Sequence, residues 1–108
     1  MTVSGLGEFE LAVLVSTARL GERAYGASIR DEVSSRVGRA CSVGAVYTTL
    51  QRLENKRLLR SWFSEPEPVR GGRAKRCFAL TPAGRSALAF ARESNARLWD
   101  ETAVWSEA

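Results

Sequence analysis

The chain has 108 residues, 44% hydrophobic and 26% charged, enough for one folded domain with a modest core and too apolar for disorder. It holds no histidine and two well-separated cysteines, which removes His-based catalysis and leaves too few ligands for structural zinc. The net charge of +4 is uneven: residues 36–76 carry ten Lys/Arg against three Asp/Glu, a surplus of +7, while the flanks carry six against nine, leaving −3. A basic centre of this kind suits a surface that faces phosphates.

Met1 to Gly5 lacks the basic and apolar regions of a secretory signal, and the longest apolar run, Leu11–Val15, is too short to span a bilayer. The expectation is a soluble, cytoplasmic protein with no membrane partner and no cofactor.

The first predicted helix runs from about Gly7 to Leu20. Leu6, Phe9, Val13 and Leu20 fall at helical spacings, and the apolar Leu11–Val15 run predicts a buried, central helix that Gly21 stops. The second follows Tyr25-Gly26 and runs to about Arg36, with Ile29, Val33 and Val37 every four residues and Gly38 at its end.

The third helix carries the functional signal. Ser42 is a good N-cap, and the helix is predicted over 43–56. Val43, Val46, Leu50 and Leu53 make one apolar stripe. The opposite face carries Gly44, Thr48, Gln51, Arg52 and Asn55, with Tyr47 at the border. Small residues allow close approach to a surface, and Gln, Asn and Arg can bond base edges in pairs.

Leu58 to Phe63 predicts a strand, Ser64 to Arg73 a Pro- and Gly-rich loop, and Lys75 to Leu80 a return strand. The result is a β-hairpin wing with Arg70, Arg73, Lys75 and Arg76 on it. Thr81-Pro82 opens a last helix reaching roughly Val104. Along it Leu88, Ala91, Asn95, Leu98, Thr102 and Trp105 follow the 3-4 spacing of a helix-pairing seam. Trp99 and Trp105 predict packing at that seam, with a flat aromatic effector stacked between them as the sharper reading. Cys41 and Cys77 predict two buried structural thiols, with a redox pair as the sharper reading.

The fold class is thus mainly α: a winged helix-turn-helix with a three-helix core and a two-stranded β-wing, plus a long C-terminal dimerisation helix. Residues 1–80 form the winged unit and 81–108 the helix, in one compact body.

These stretches together resemble the PadR-type transcriptional regulators in their short form with a single C-terminal helix. The resemblance rests on Leu6-Gly7-Glu8-Phe9-Glu10, Ala24-Tyr25-Gly26 with Ile29, Ser42 to Leu50, Arg52-Leu53-Glu54, Arg73-Ala74-Lys75-Arg76 and Leu80-Thr81-Pro82-Ala83-Gly84-Arg85. It spans about residues 6–88 in order. It implies a dimeric repressor whose third helix enters the major groove and whose wing tracks the neighbouring backbone or minor groove. Carried onto this chain, Ser42, Gly44, Tyr47 and Thr48 match the DNA-facing start of the helix, Tyr25 the supporting tyrosine, and Arg73, Lys75 and Arg76 the basic return strand. Three positions depart from the pattern. Thr48 stands where the family often has Pro, Arg57 stands where a Gly would cap the third helix, and Cys77-Phe78 replace paired tyrosines.

The expected function is a transcriptional regulator, a repressor reading a pseudo-palindromic operator in double-stranded DNA as a homodimer. It would use helix 43–56 and a basic wing over 64–76, with Tyr25, Gln51, Arg52 and Arg70 among the contacts. The alternative is a winged-helix interaction module that uses the Trp-bearing terminal helix to hold a protein partner. No acid–base constellation points to an enzyme.

Overall fold

The computed structural model describes residues 6–65 and 74–100; of Trp99 and Asp100 it describes only the backbone. The element order is α1 (Glu8–Leu20), a 3-10 turn (Gly21–Arg23), α2 (Gly26–Val37), α3 (Val43–Asn55), β1 (Leu59–Phe63), β2 (Arg76–Leu80) and α4 (Pro82–Asp100). β1 and β2 form a two-stranded antiparallel hairpin with Leu59 opposite Leu80 and Phe63 opposite Arg76. This is the predicted winged helix-turn-helix with an added C-terminal helix.

The core is where the three helices and the base of the hairpin meet. Val13 and Leu14 of α1, Ile29 and Val33 of α2, Val46, Leu50 and Leu53 of α3, and Leu59 and Phe78 of the hairpin are all buried. Each such side chain stabilises the fold by ~1.5–3 kcal/mol relative to exposure, so three of them on one stripe suffice to fix the roll of α3. The stripe is one residue shorter than its periodicity predicts. Val43 is 44% exposed, because it occupies the first turn and lies beyond the edge of the three-helix contact. Leu11 and Val15 are likewise only half-buried, so α1 is a flanking helix with one open side, not an enclosed one.

Local chemistry sets the ends of α3. The Ser42 hydroxyl accepts from the Ala45 N–H at 3.0 Å, which satisfies one free donor of the first turn. At the other end, the Leu58 N–H bonds the Leu53 carbonyl at 3.0 Å and the Arg57 N–H bonds the Glu54 carbonyl at 2.9 Å. These two bonds make a complete Schellman cap, closed by packing of Leu58 near Leu53. The cap that glycine usually provides is therefore kept, with Arg57 held at φ 64°. A side chain in this left-handed region costs ~1 kcal/mol or more. Arg57→Gly is expected to relieve that cost and raise the thermal midpoint by roughly 5 °C, from ~1 kcal/mol in a chain of this size. An unchanged or lower midpoint by circular dichroism would mean that Arg57 has compensating contacts.

The start of α4 is tied to this same turn. The Thr81 hydroxyl donates to the Arg57 carbonyl at 2.7 Å and accepts from the Gly84 N–H at 3.0 Å. The Thr81 N–H bonds the Leu58 carbonyl at 3.1 Å. Thr81-Pro82 is thus both the helix opening predicted from sequence and a clasp between the hairpin base and α4. Among the described residues no helix is long and apolar enough to cross a membrane.

Candidate nucleic-acid interface

With Val46, Leu50 and Leu53 facing in, the opposite side of α3 is open. Ser42, Gly44, Thr48, Gln51, Arg52 and Asn55 are all exposed. Gln51 donates to the Asn55 side chain at 3.1 Å, so the two amides lie side by side on the surface. Gly44 has nothing within 4 Å of where a Cβ would stand. The front of this helix is therefore small and polar at its N-terminal end and amide-rich further along.

Tyr47 sits at the border, 37% exposed. Its ring stands edge-on to Phe78, with centroids 6.5 Å apart. Its hydroxyl end lies over Gly26, where a Cβ would collide with the ring. The Tyr25-Gly26 pair is thereby explained: glycine opens α2 because the tyrosine of α3 occupies the space. Tyr25 is half-buried, bridges to Cys77 of β2, and has the Lys75 ammonium 4.3 Å from its ring centroid. Exposed Phe63 joins Tyr25, Tyr47 and Lys75 around one cleft at the wing root.

The wing's basic residues divide. Arg70 and Arg73 lie outside the described residues. Lys75 is exposed beside Tyr25. Arg76, expected from the sequence to face DNA, is turned inward. Its Nη2 bonds Glu54 at 2.9 Å and the Ser61 hydroxyl at 3.1 Å, and its guanidinium lies over the Phe78 ring. The reason is register. Arg76 opposes Phe63 on the hairpin face that also carries Ser61 and Phe78, and that face is turned toward α3. Arg52 stays outward, its Nη1 4.0 Å from Glu10, a long and solvent-screened pair.

Two acidic residues that the sequence did not mark as functional frame this surface. Glu54 is the first. Glu10 of α1 is the second: it is buried, it accepts from the Gly7 N–H at 3.1 Å, and it pairs with Lys56 beyond the end of α3 at 3.1 Å. Burial pushes the Glu10 carboxyl up, but the Gly7 N–H, Lys56 and Arg52 together outweigh it and hold the group below its ordinary value. A depressed carboxyl stabilises the fold above its unfolded value of 4.5 and loses that contribution as pH falls through the native value. Lys56→Met is accordingly expected to lower stability at pH 7 by ~0.5–1 kcal/mol, given the half-exposed lysine. Its melting deficit against the parent chain should shrink toward zero as the pH is lowered past 4.5. A deficit of constant size across that range would show that the charge pair is not its source.

On α4, Leu88 and Ala91 are half-buried, Asn95 is exposed and Leu98 is 70% exposed. Trp99 has its backbone in α4, but its side chain, with Thr102 and Trp105, lies outside the described residues, as does any stacking between the tryptophans. Leu11 and Val15 of α1 and Leu88 and Ala89 of α4 line an open apolar groove rimmed by Arg19, Arg85 and Arg92. Cys41 is buried, and Cys77 is only half-buried; both are free thiols.

A three-helix core, a hairpin packed behind its third helix and a polar outward front on that helix define a winged helix-turn-helix protein. The Transcriptional regulator PadR-like family matches residues 14–90, and the chain belongs to that family. Its members are regulators of transcription and not enzymes. Over 64 residues the chain is 45% identical to transcriptional regulator Rv3488 of Mycobacterium tuberculosis, covering 59% of this chain and 55% of that protein. The chain thus spans about half the length of this curated relative. Among solved structures, RosR of H. salinarum superposes with a TM-score of 0.70 at 26% identity, over 95% of this chain and 86% of that one. A PadR family transcription regulator from Clostridium difficile R20291 gives 0.70 at 24% identity, over 94% and 100%, a likeness of fold.

Proposed function

We propose that this chain is a DNA-binding repressor that recognises a pseudo-palindromic operator as a homodimer. The observation that carries the reading is the front of α3. Gly44, Thr48, Gln51, Arg52 and Asn55 stand exposed on one face, and Tyr47 at its border shares a cleft with Lys75 at the wing root. Their chemistry fits a major groove, where Gln and Asn pair with adenine and Arg with guanine. Ser42 and Tyr47 flank the helix start and suit backbone phosphates, as Arg70, Arg73 and Lys75 of the wing do. Tyr25 acts behind them by holding Lys75. Arg76 is left out of the direct contacts because its charge is already paired.

The dimer reading rests on α4 and the groove beside it. Leu98 is a large apolar side chain standing in solvent, in register with Leu88, Ala91 and Asn95 on one seam. A second copy would cover that seam and set two α3 helices about one DNA turn apart, ~34 Å. The terminal tryptophans Trp99 and Trp105 would extend the same seam, where a flat aromatic effector could enter.

Selection of bound sequences from a random duplex pool tests the reading directly. The expected product is a two-fold symmetric motif. Its affinity should fall steeply with salt, because each phosphate contact releases counterions. Sedimentation should give a dimer. A pool that stays random after selection would overturn sequence recognition, and a monomer binding an asymmetric motif would overturn the symmetric assembly.

A further inference from the structure

Glu54 is misplaced by two electrostatic criteria. It lies in the last turn of α3, where an acid opposes the helix dipole. It is also a carboxylate within the most basic stretch of the chain, where it repels phosphates. Its contacts supply a reason. Ser61 of β1 donates its hydroxyl to Glu54 at 2.8 Å. Arg76 of β2 donates to Glu54 at 2.9 Å and to the Ser61 hydroxyl at 3.1 and 3.2 Å. The three side chains close a triangle with one corner on the recognition helix and one on each strand of the wing. All three are half-buried, so the charges are partly shielded from water.

We infer that Glu54 is a positioning residue that fixes the angle between α3 and the wing, so that both meet a duplex in one geometry. The inference rests on the DNA-binding reading above and adds to it. Elsewhere the hairpin is held through its base, by Leu59 and Phe78 in the core and by the Phe78 N–H on the Ala24 carbonyl. Those contacts anchor the wing to α1 and to the turn before α2, while the third helix meets it through apolar packing, Tyr47 standing edge-on to Phe78. The triangle adds charge-assisted bonds to the third helix itself, and such bonds are directional as well as strong. It also withholds the Arg76 charge from phosphates. Affinity for any duplex is lowered in this way, and a fixed geometry that favours the matching duplex is gained.

The test compares the parent chain, Glu54→Gln, Ser61→Ala and the exchanged pair Glu54→Arg with Arg76→Glu. The probes are a 30-bp duplex recovered by selection with the parent chain and a 30-bp duplex of mixed sequence. In Glu54→Gln the affinity ratio between the two is expected to fall about tenfold, the effect of loosening a coupled pair of contacts. Binding to the mixed duplex should hold or strengthen, and its salt slope should steepen by about 0.9 per chain as Arg76 is released to a phosphate. A merely structural residue would weaken both probes together. Ser61→Ala, which keeps both charges, should narrow the ratio less, and the exchanged pair should restore it. Amide exchange provides a readout without DNA. Residues 59–63 and 76–80 should exchange faster in Glu54→Gln while α1 is unchanged. An unaltered ratio in both single variants, or unaltered exchange at the wing root, overturns the inference. Faster wing exchange in Glu54→Gln alongside a parent chain that prefers no sequence instead defeats sequence recognition and supports the brace.

Discussion

Gly84→Ala is expected to lower the thermal midpoint by roughly 10 °C. A Cβ at Gly84 would overlap the Leu58 carbonyl oxygen and stand 3.1 Å from its carbon. Both obstacles are backbone, so no rotamer change relieves them. The carbonyl cannot turn away without losing its bond to the Thr81 N–H. It also follows directly on the Schellman cap of α3, so moving it disturbs the end of that helix. Overpacking at a rigid site costs about 1–3 kcal/mol, partly offset by the ~1 kcal/mol that alanine gains over glycine inside a helix. The backbone clash should keep the net loss near 2 kcal/mol, and ~5 °C per kcal/mol in a chain of this length gives the stated shift. Ala83→Gly is the control, since residue 83 is exposed. It should cost less than half as much. A Gly84→Ala chain melting with or above its parent would mean that α4 can slide off the hairpin base, and that the Thr81 clasp is not rigid.

The elements were legible in the sequence because each is specified locally. Val46, Leu50 and Leu53 predict the buried stripe of α3 through period alone. Ser42 and Thr81 predict their helix starts through capping chemistry that spans three residues. Strand boundaries fell within one residue, since Pro and Gly punctuate the wing. What was not legible depends on partners far along the chain. Glu10 meets Lys56 at a separation of 46 residues, and Glu54 meets Arg76 at 22. No periodicity encodes such pairs; they exist only once the helices have packed. The family resemblance and the basic cluster of the wing both place Arg76 toward DNA, and only the strand register turns it toward Glu54. The one available signal was compositional: a lone acid in a helix within a basic segment calls for a partner. Arg57 shows the opposite case. The glycine that usually caps such a helix is missing, yet both capping bonds form with an arginine in the left-handed region.

Gly44→Glu should move stability and DNA binding in opposite directions, and that divergence is what separates an interface from a scaffold. Gly44 lies in the first turn of α3, exposed, with open space where a side chain would project. Replacing glycine in a helix gains ~0.5–1 kcal/mol from backbone entropy. A carboxylate near a helix N-terminus adds ~0.3–1 kcal/mol through the dipole. The variant should therefore melt several degrees above its parent. Against a duplex the same change is unfavourable twice over. The longer side chain keeps α3 from close approach, and its charge faces the phosphates. A loss of ~2 kcal/mol or more, about 30-fold in affinity, is expected for the selected duplex. Gly44→Lys resolves the two causes. If spacing dominates, lysine will also erode the preference for the selected duplex while strengthening attachment to the mixed one. If charge dominates, lysine will tighten both. Should Gly44→Glu bind as the parent does, the front of α3 is not the surface that meets DNA, whatever its composition suggests.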